Sequence, residues 1–263
     1  MLKVDRDLCT GCGLCEWDCL PGAISTEDGF PKADENCFFC GHCEAICPAG
    51  AVKLEGGGTS DAGQVDVGAG FGIDAETMLH AIKVRRSVRH FKRDAVPREM
   101  LEALTEAGRF SPTANNSQNV KYIVVGSDKA DEFSRLAMSE LRKMASDPAA
   151  FEDVYPKAIY GERIHYQDDD FMFKGGRAMV FAYGPHVVNA AIATANMELM
   201  AEAMGLGVVY IGIFIRLLNV NKVLRDYLGL SDDDKVWTCL SLGFPDVEYQ
   251  RSAPRRPADV RWI

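Results

Sequence analysis

Eight of the nine cysteines fall in two runs, CTGCGLCEWDC at residues 9–19 and CFFCGHCEAIC at residues 37–47. A shift of 28 residues carries Cys9, Cys12, Cys15 and Cys19 onto Cys37, Cys40, Cys43 and Cys47, and Ala23-Ile24 onto Ala51-Val52. The spacing predicts an internal duplication whose halves pack about a pseudo-twofold axis. Thiolates at i, i+3 and i+6 can wrap three corners of an iron–sulfur cube, and in runs of this type the fourth cysteine ligates the other cluster. The expected ligand sets are Cys9, Cys12, Cys15 and Cys47 for one cluster, and Cys37, Cys40, Cys43 and Cys19 for the other. Paired zinc sites are the competing reading, but zinc modules combine two CxxC knuckles without a third cysteine or a crossover ligand. Disulfides do not suit a chain that opens MLKVDRDL, with no apolar export segment. Phe38, Phe39 and Trp17 are candidates to shield clusters or simply to pack. His42 is not expected to ligate where four cysteines already do.

Three further stretches carry donors or charge. RRSVRHF, residues 85–91, sets Arg85, Arg86 and Arg89 around Ser87. Guanidinium forks and a hydroxyl bind a phosphate or a carbonyl-rich ring edge, although a solvated basic surface looks the same in sequence. SPTANNSQNVKYIVVG, residues 111–126, places amide side chains before an apolar strand. They could read a polar ring edge or serve only as turn formers. GFPDVEYQRSAPRRP, residues 243–257, puts two arginines between prolines, and an extended tail is its plain reading. Cys239, in an apolar run, reads as a buried structural thiol.

These residues need elements to hold them. A helix is expected to start at Asp74 as its cap, with Met78, Leu79 and Ile82 on one face, and another from Pro97 to about Arg109. Strands are expected at 121–126, 178–183, through GVVYIGIF and at 235–244; helices at 128–145, 187–204 and 216–228. Helices and strands mix without a regular βαβ alternation, which predicts an α+β fold with a mostly antiparallel sheet. Residues 55–73, rich in Gly, Ala and Asp, read as a flexible linker between a small domain at 1–54 and a larger one at 74–263. The formal net charge is −9 and basic runs are absent, so neither nucleic acid nor an anionic membrane is an expected partner. No apolar stretch is long enough for a membrane span, and a reducing cytoplasm is expected. Residues 1–54 hold four Lys/Arg against nine Asp/Glu, an acidic face suited to a basic partner or to water.

Over residues 1–54 the chain resembles bacterial two-cluster [4Fe–4S] ferredoxins. Pro48 follows Cys47 as in that family, whereas Leu20 separates Cys19 from Pro21. RRSVR, SPTANNSQ, GLGVVYIG, LGFP and PRRP, in that order over about residues 78–258, resemble the nitroreductase family. That resemblance implies an FMN site. It implies that Arg85, Ser87 and Arg89, with Arg86 beside them, touch the flavin, and that Pro112, Thr113, Ala114, Asn116 and Gln118 reach it, usually across a dimer. Ile211 and Gly212 would lie near N5, and Arg255 with Arg256 would hold the phosphate. It further implies a homodimer and no catalytic side-chain nucleophile. The implied function is an FMN-dependent oxidoreductase whose two [4Fe–4S] clusters exchange electrons with the flavin. The flavin then passes hydride to a nitroaromatic, quinone or activated alkene. NAD(P)H, a ferredoxin or another redox protein is the expected donor. The alternatives are an electron-transfer hub between proteins and a redox sensor, neither with a small substrate, and a special chemistry within the same superfamily, such as reductive dehalogenation or flavin fragmentation. Residues 146–186 depart from the family pattern. Their Tyr155, Tyr160, His165, Tyr166, Phe171 and Phe173 suit a lid over a flat substrate or a segment packed on itself.

Overall fold

A computed structural model describes residues 1–56, 68, 70, 72–155, 164–165 and 167–263. Most of the expected linker, together with Tyr160 and Tyr166, lies outside the described residues. The chain divides into two compact units, Met1–Gly72 with Thr113–Gln118, and Ile73–Pro112 with Asn119–Ile263. Thr113–Gln118, which the sequence groups with the larger domain, belongs by its contacts to the smaller unit.

The first unit is built from β1 (Leu2–Val4), α1 (Leu14–Trp17), β2 (Ile24–Glu27), β3 (Phe30–Ala33), α2 (His42–Ala45) and β4 (Val52–Leu54). β1 pairs antiparallel with β4, and β2 with β3. The 28-residue repeat is visible in the backbone. α1 and α2 are each entered through a left-handed glycine, Gly13 at φ 74° and Gly41 at φ 78°. Only glycine takes that conformation without a Cβ penalty. Ala23 and Ala51 are both buried, as are Ile24 and Val52. The core is Cys15, Ile24, Cys43 and Val52, flanked by Cys19 and Cys47. Half of that small core is thiol, so apolar burial alone contributes little to folding.

The second unit continues with α3 (Ala75–Val84), α4 (Arg98–Arg109), β5 (Lys121–Val125), α5 (Ser127–Ala145), α6 (Pro148–Val154), β6 (Ala178–Tyr183), α7 (Val187–Ala203), β7 (Gly207–Tyr210), α8 (Gly212–Val220), α9 (Lys222–Tyr227) and β8 (Val236–Gly243). One antiparallel sheet runs in the order β5-β6-β8-β7, so the α+β expectation holds. Strand β6 is buried on both faces, which explains its unbroken apolar run. Ala178 and Val180 point to one face and pack with Leu101, Leu104, Met197 and Leu242. Met179 and Phe181 point to the other, with Phe133, Phe173 and Phe214. Phe133 sits at the centre of that second layer, its ring 5.6 Å from Phe173 and 5.7 Å from both Phe181 and Phe214.

Local sequence explains most element ends. Asp74 caps α3 by accepting from the Thr77 N–H at 2.9 Å. Asp147 and Pro148 start α6, a helix not foreseen in the sequence. The GVVYIGIF run is strand only to Tyr210; from Gly212 it is helix. Asn221 ends α8 and caps α9 through the Leu224 N–H at 3.0 Å, so the single helix expected at 216–228 is two. Pro97 is the residue before α4 rather than its first.

One contact fixes the entry to this unit. Val88 N–H donates to the Val208 carbonyl at 2.9 Å, and Ser87 forms a parallel bridge with Val208. The Val88 side chain fills the space where a Gly207 Cβ would stand, 2.6 Å from its Cγ2. Gly207→Ala is therefore expected to destabilise the protein by about 1–3 kcal/mol, read as a lower midpoint of urea or thermal unfolding. An unchanged midpoint would show that the 85–89 segment gives way freely.

Candidate functional site

In the first unit, one cavity is lined by Cys9, Cys12, Cys15 and Cys47, with Gly11 and Gly13 between them. Three of these thiols come from the first repeat and the fourth from the second. All nine cysteines are free thiols. Burial raises the Cys15 thiol above its ordinary range, and the charges of Cys12 and Cys47 add to the effect. Burial likewise pushes Cys43 up to about 11, with Cys37 and Cys40 adding to it. Cys15 and Cys43 thus resist ionising, and a cation-bearing group would relieve both burial and repulsion there. Backbone N–H groups already reach two of the sulfurs: Phe39 N–H donates to Cys37 Sγ at 3.5 Å, and Ala51 N–H to Cys47 Sγ at 3.3 Å. Among the described residues, no three His, Cys, Asp or Glu side chains converge as ligands of one metal ion. His42 faces Asp18, Nδ1 to Oδ2 at 3.1 Å. Trp17 is 78% exposed.

In the second unit, three candidate stretches are joined through the backbone. Ser87-Val88 lies on Val208. Phe91 bridges Pro245, Lys92 N–H donates to the Phe244 carbonyl, and Asp246 N–H donates to that of His90. Arg85–Phe91 therefore runs between strand β7 and the start of the C-terminal segment. Its side chains differ in circumstance. Arg85 Nη1 pairs with Glu198 Oε1 at 2.8 Å. Arg86 lies over the Tyr249 ring, 4.1 Å from its centroid, while its Nε is buried without a hydrogen-bond partner. Tyr249 OH donates to the Ser87 carbonyl at 3.3 Å. Arg89 is exposed. Lys174 is held below the ordinary lysine range by burial first and then by the Arg89 charge, so two cations share one neighbourhood. Asn196 Nδ2 donates to Ser111 Oγ at 2.8 Å, tying α7 to the segment after α4.

Helix α7 carries an acidic ladder. Thr194, Glu198 and Glu202 recur at every fourth position and so share one face. Glu202 is shifted upward by desolvation first and by the Glu198 charge second. Tyr210, at the end of β7, is pushed by burial up to about 12.

The remaining candidates lie as follows. Ile211 is buried, and its N–H donates to the Cys239 carbonyl at 2.9 Å. Gly212 opens α8, and a Cβ placed there would meet nothing within 4 Å. Pro112, Arg255 and Arg256 are exposed, with Arg255 bonded to the Pro254 carbonyl. Thr113, Ala114, Asn116 and Gln118 fall in the first unit. Asn116 donates its amide hydrogens to the Phe38 and Phe39 carbonyls at 3.3 and 2.9 Å. Of the aromatics in 146–186, Tyr155 and Phe173 are core residues, and Tyr155 OH donates to the Ile213 carbonyl at 2.8 Å. The packed-segment reading holds for both. Cys239 is buried, as expected. Glu198, Asn196 and Tyr249 were not singled out from sequence. The available signal was an acid at position 198 inside an otherwise apolar helical run.

Comparisons with known proteins bear on residues beyond the cysteine runs. A model described as the nitroreductase family matches residues 82–244, more than half of the chain. An Archaeoglobus fulgidus protein named as an NADH dehydrogenase/NAD(P)H nitroreductase is 28% identical over 173 residues, covering 66% of this chain and 88% of its own. A Staphylococcus aureus protein named NADPH-dependent oxidoreductase is 26% identical over 193 residues, covering 70% of this chain and 72% of its own. Among solved structures, a Bacteroides fragilis nitroreductase with bound FMN shares the fold at a TM-score of 0.55 and 21% identity, over 70% of this chain and 97% of its own. Among the described residues, no helix is long and apolar enough to cross a membrane.

The Glu202 shift has a stability consequence. A carboxyl whose pKa is raised by folding costs stability when ionised, so the penalty is absent at low pH and grows as pH rises through the folded value. Glu202→Gln is expected to raise the unfolding midpoint at neutral pH and to leave it unchanged below about pH 4. Equal stabilisation at both pH values would assign the effect to packing instead of charge.

Proposed function

The chain belongs to the nitroreductase family of oxidoreductases, and from that premise we propose that it binds FMN and reduces a small acceptor with electrons exchanged through two [4Fe–4S] clusters. The observation that carries the flavin half is the backbone union of residues 85–91, 207–212 and 243–249, with the buried, unpartnered Nε of Arg86 beside it. A buried donor without an acceptor costs stability, and a flavin carbonyl or phosphate oxygen would satisfy it. When bound, FMN supplies hydride and single-electron chemistry; the protein supplies placement and charge. Arg85, paired with Glu198 at 2.8 Å, would hold a positive charge steady for a reduced ring. Arg255 with Arg256 would hold the phosphate; Arg89 and Lys174, which share one neighbourhood, would attract the anionic cofactor, a role that relieves their mutual repulsion. The open space at Gly212 lets a flat ring approach the backbone.

Support for the cluster half is the cavity lined by Cys9, Cys12, Cys15 and Cys47. A cube binds each thiolate at a different iron, so its ligands surround a volume and need not meet at a point. The chain's own contribution is to bury Cys15 and Cys43 and to direct N–H groups at the Cys37 and Cys47 sulfurs. Cluster binding would also supply folding free energy that the small apolar core lacks. The acceptor class we infer is a nitroaromatic, quinone or activated alkene, and the active form is a homodimer. The exposed apolar face of α3, with Leu79 and Ile82 about half exposed at 50% and 43%, is one surface a second copy could cover.

An anaerobic absorbance titration tests the function. The purified protein is expected to show a flavin band over a broad iron–sulfur band, both bleached by NADPH or by dithionite and restored by a nitroaromatic or quinone. Bleaching without any acceptor turnover would favour an electron-transfer hub, and absence of a flavin band after added FMN would remove the proposal. Arg89→Ala and Lys174→Ala are each expected to weaken FMN binding about tenfold to a hundredfold, measured by flavin fluorescence. Cys47→Ser is expected to remove the cluster nearest Cys9 while sparing the other, measured as iron and sulfide per chain; loss from the second repeat instead would refute the crossover.

A further inference from the structure

The two cysteine repeats are not equivalent, and one difference lies in a loop beside the second set of thiols. Position 11 is glycine at φ 66°, and its counterpart 28 residues on is Phe39 at φ 50°. Left-handed backbone is ordinary for glycine and strained for phenylalanine. Strain of this kind persists only where surrounding contacts over-determine it, and it concentrates at functional sites. Here the holding contact is known. Asn116 Nδ2 donates to the Phe38 carbonyl at 3.3 Å and to the Phe39 carbonyl at 2.9 Å. Phe39 in turn donates its N–H to Cys37 Sγ at 3.5 Å. A single residue therefore links the Asn116 amide to the sulfur of a proposed cluster ligand.

The segment that supplies Asn116 is itself shaped for the contact. Asn115, Asn116 and Gln118 all have left-handed backbone, at φ 52°, 51° and 45°. The Gln118 N–H closes the loop on Thr113 Oγ1 at 3.0 Å. Thr113–Gln118 clusters with the cysteine unit, although its chain neighbours Pro112 and Asn119 belong to the other unit.

We propose that Asn116 is a positioning residue that clamps the Cys37–Cys40 loop and, through the Phe39 N–H on Cys37 Sγ, sets the potential of the cluster of Cys37, Cys40, Cys43 and Cys19. The inference rests on the cluster binding proposed above. Hydrogen bonds to cluster sulfurs tune cluster potential, so loosening the loop changes the field at this cluster and leaves the other as it was.

The test uses the full chain with its clusters, under anaerobic conditions. Asn116→Gly keeps the left-handed backbone and removes the donor; Asn116→Asp keeps the side-chain shape and cannot donate when ionised. A Cys40→Ser protein identifies which electron paramagnetic resonance signal belongs to the second cluster. Both Asn116 variants are expected to shift the midpoint of that cluster and leave the other in place, a readout that needs no flavin. A shift confined to the Cys9 cluster, or no shift in either, overturns the inference while leaving the function standing. A parent protein without clusters overturns both.

Discussion

The larger unit depends on a close approach that only one residue type allows. Val88 occupies the space a side chain on Gly207 would need, and that entry lets residues 87–88 lie along β7 with a backbone bond to Val208. From this contact the chain can continue to pair at Phe91 with Pro245, so a single missing Cβ determines where four basic or hydroxylic side chains stand. Neighbouring packing then assigns their circumstances. Arg85 meets an acid on α7, Arg86 is stacked on Tyr249 with one donor left over, and Arg89 stands near Lys174. A basic motif that in sequence reads equally as a solvated surface thereby becomes three cations in three different electrostatic settings.

The smaller unit follows a different logic. It has too few apolar residues to fold on hydrophobic burial, and it places cysteine where a larger domain would place leucine. Burial raises the Cys15 and Cys43 thiols, with neighbouring cysteine charges adding to it, so a group that took those two as thiolates would have to overcome that cost. On the cluster binding proposed above, binding energy and folding energy would be the same quantity, as in small metal-dependent modules. The repeat supplies the symmetry of the scaffold; the exchange of Gly11 for Phe39 breaks it at the loop that Asn116 holds.

Much of this was legible in the sequence because it is local or periodic. The 28-residue repeat, the Asp74 cap, the unbroken apolar run of β6 and the antiparallel α+β character follow from spacing and side-chain type, which the fold does not alter. The ordered RRSVR, SPTANNSQ and GLGVVYIG stretches pointed to the family. The sequence could not separate α8 from α9, since Asn221 reads as an ordinary polar residue until its side chain is seen capping Leu224. It also placed a strand across Ile211–Phe214, where tertiary packing turns the chain into helix.

Tertiary structure alone decided who stands beside whom. Glu198 and Arg85 are 113 residues apart, Asn116 and Phe39 are 77 apart, and Ser87 and Tyr249 are 162 apart. No local periodicity encodes such pairs, because they arise from the closing of the sheet and the packing of helices on its faces. The amino-acid types fixed which chemistry was available: thiolates in cube spacing, guanidinium groups, amides. The fold decided which amide clamps a backbone, which guanidinium keeps a free donor and which thiols share a cavity, since those outcomes depend on long-range packing geometry that a linear reading does not contain.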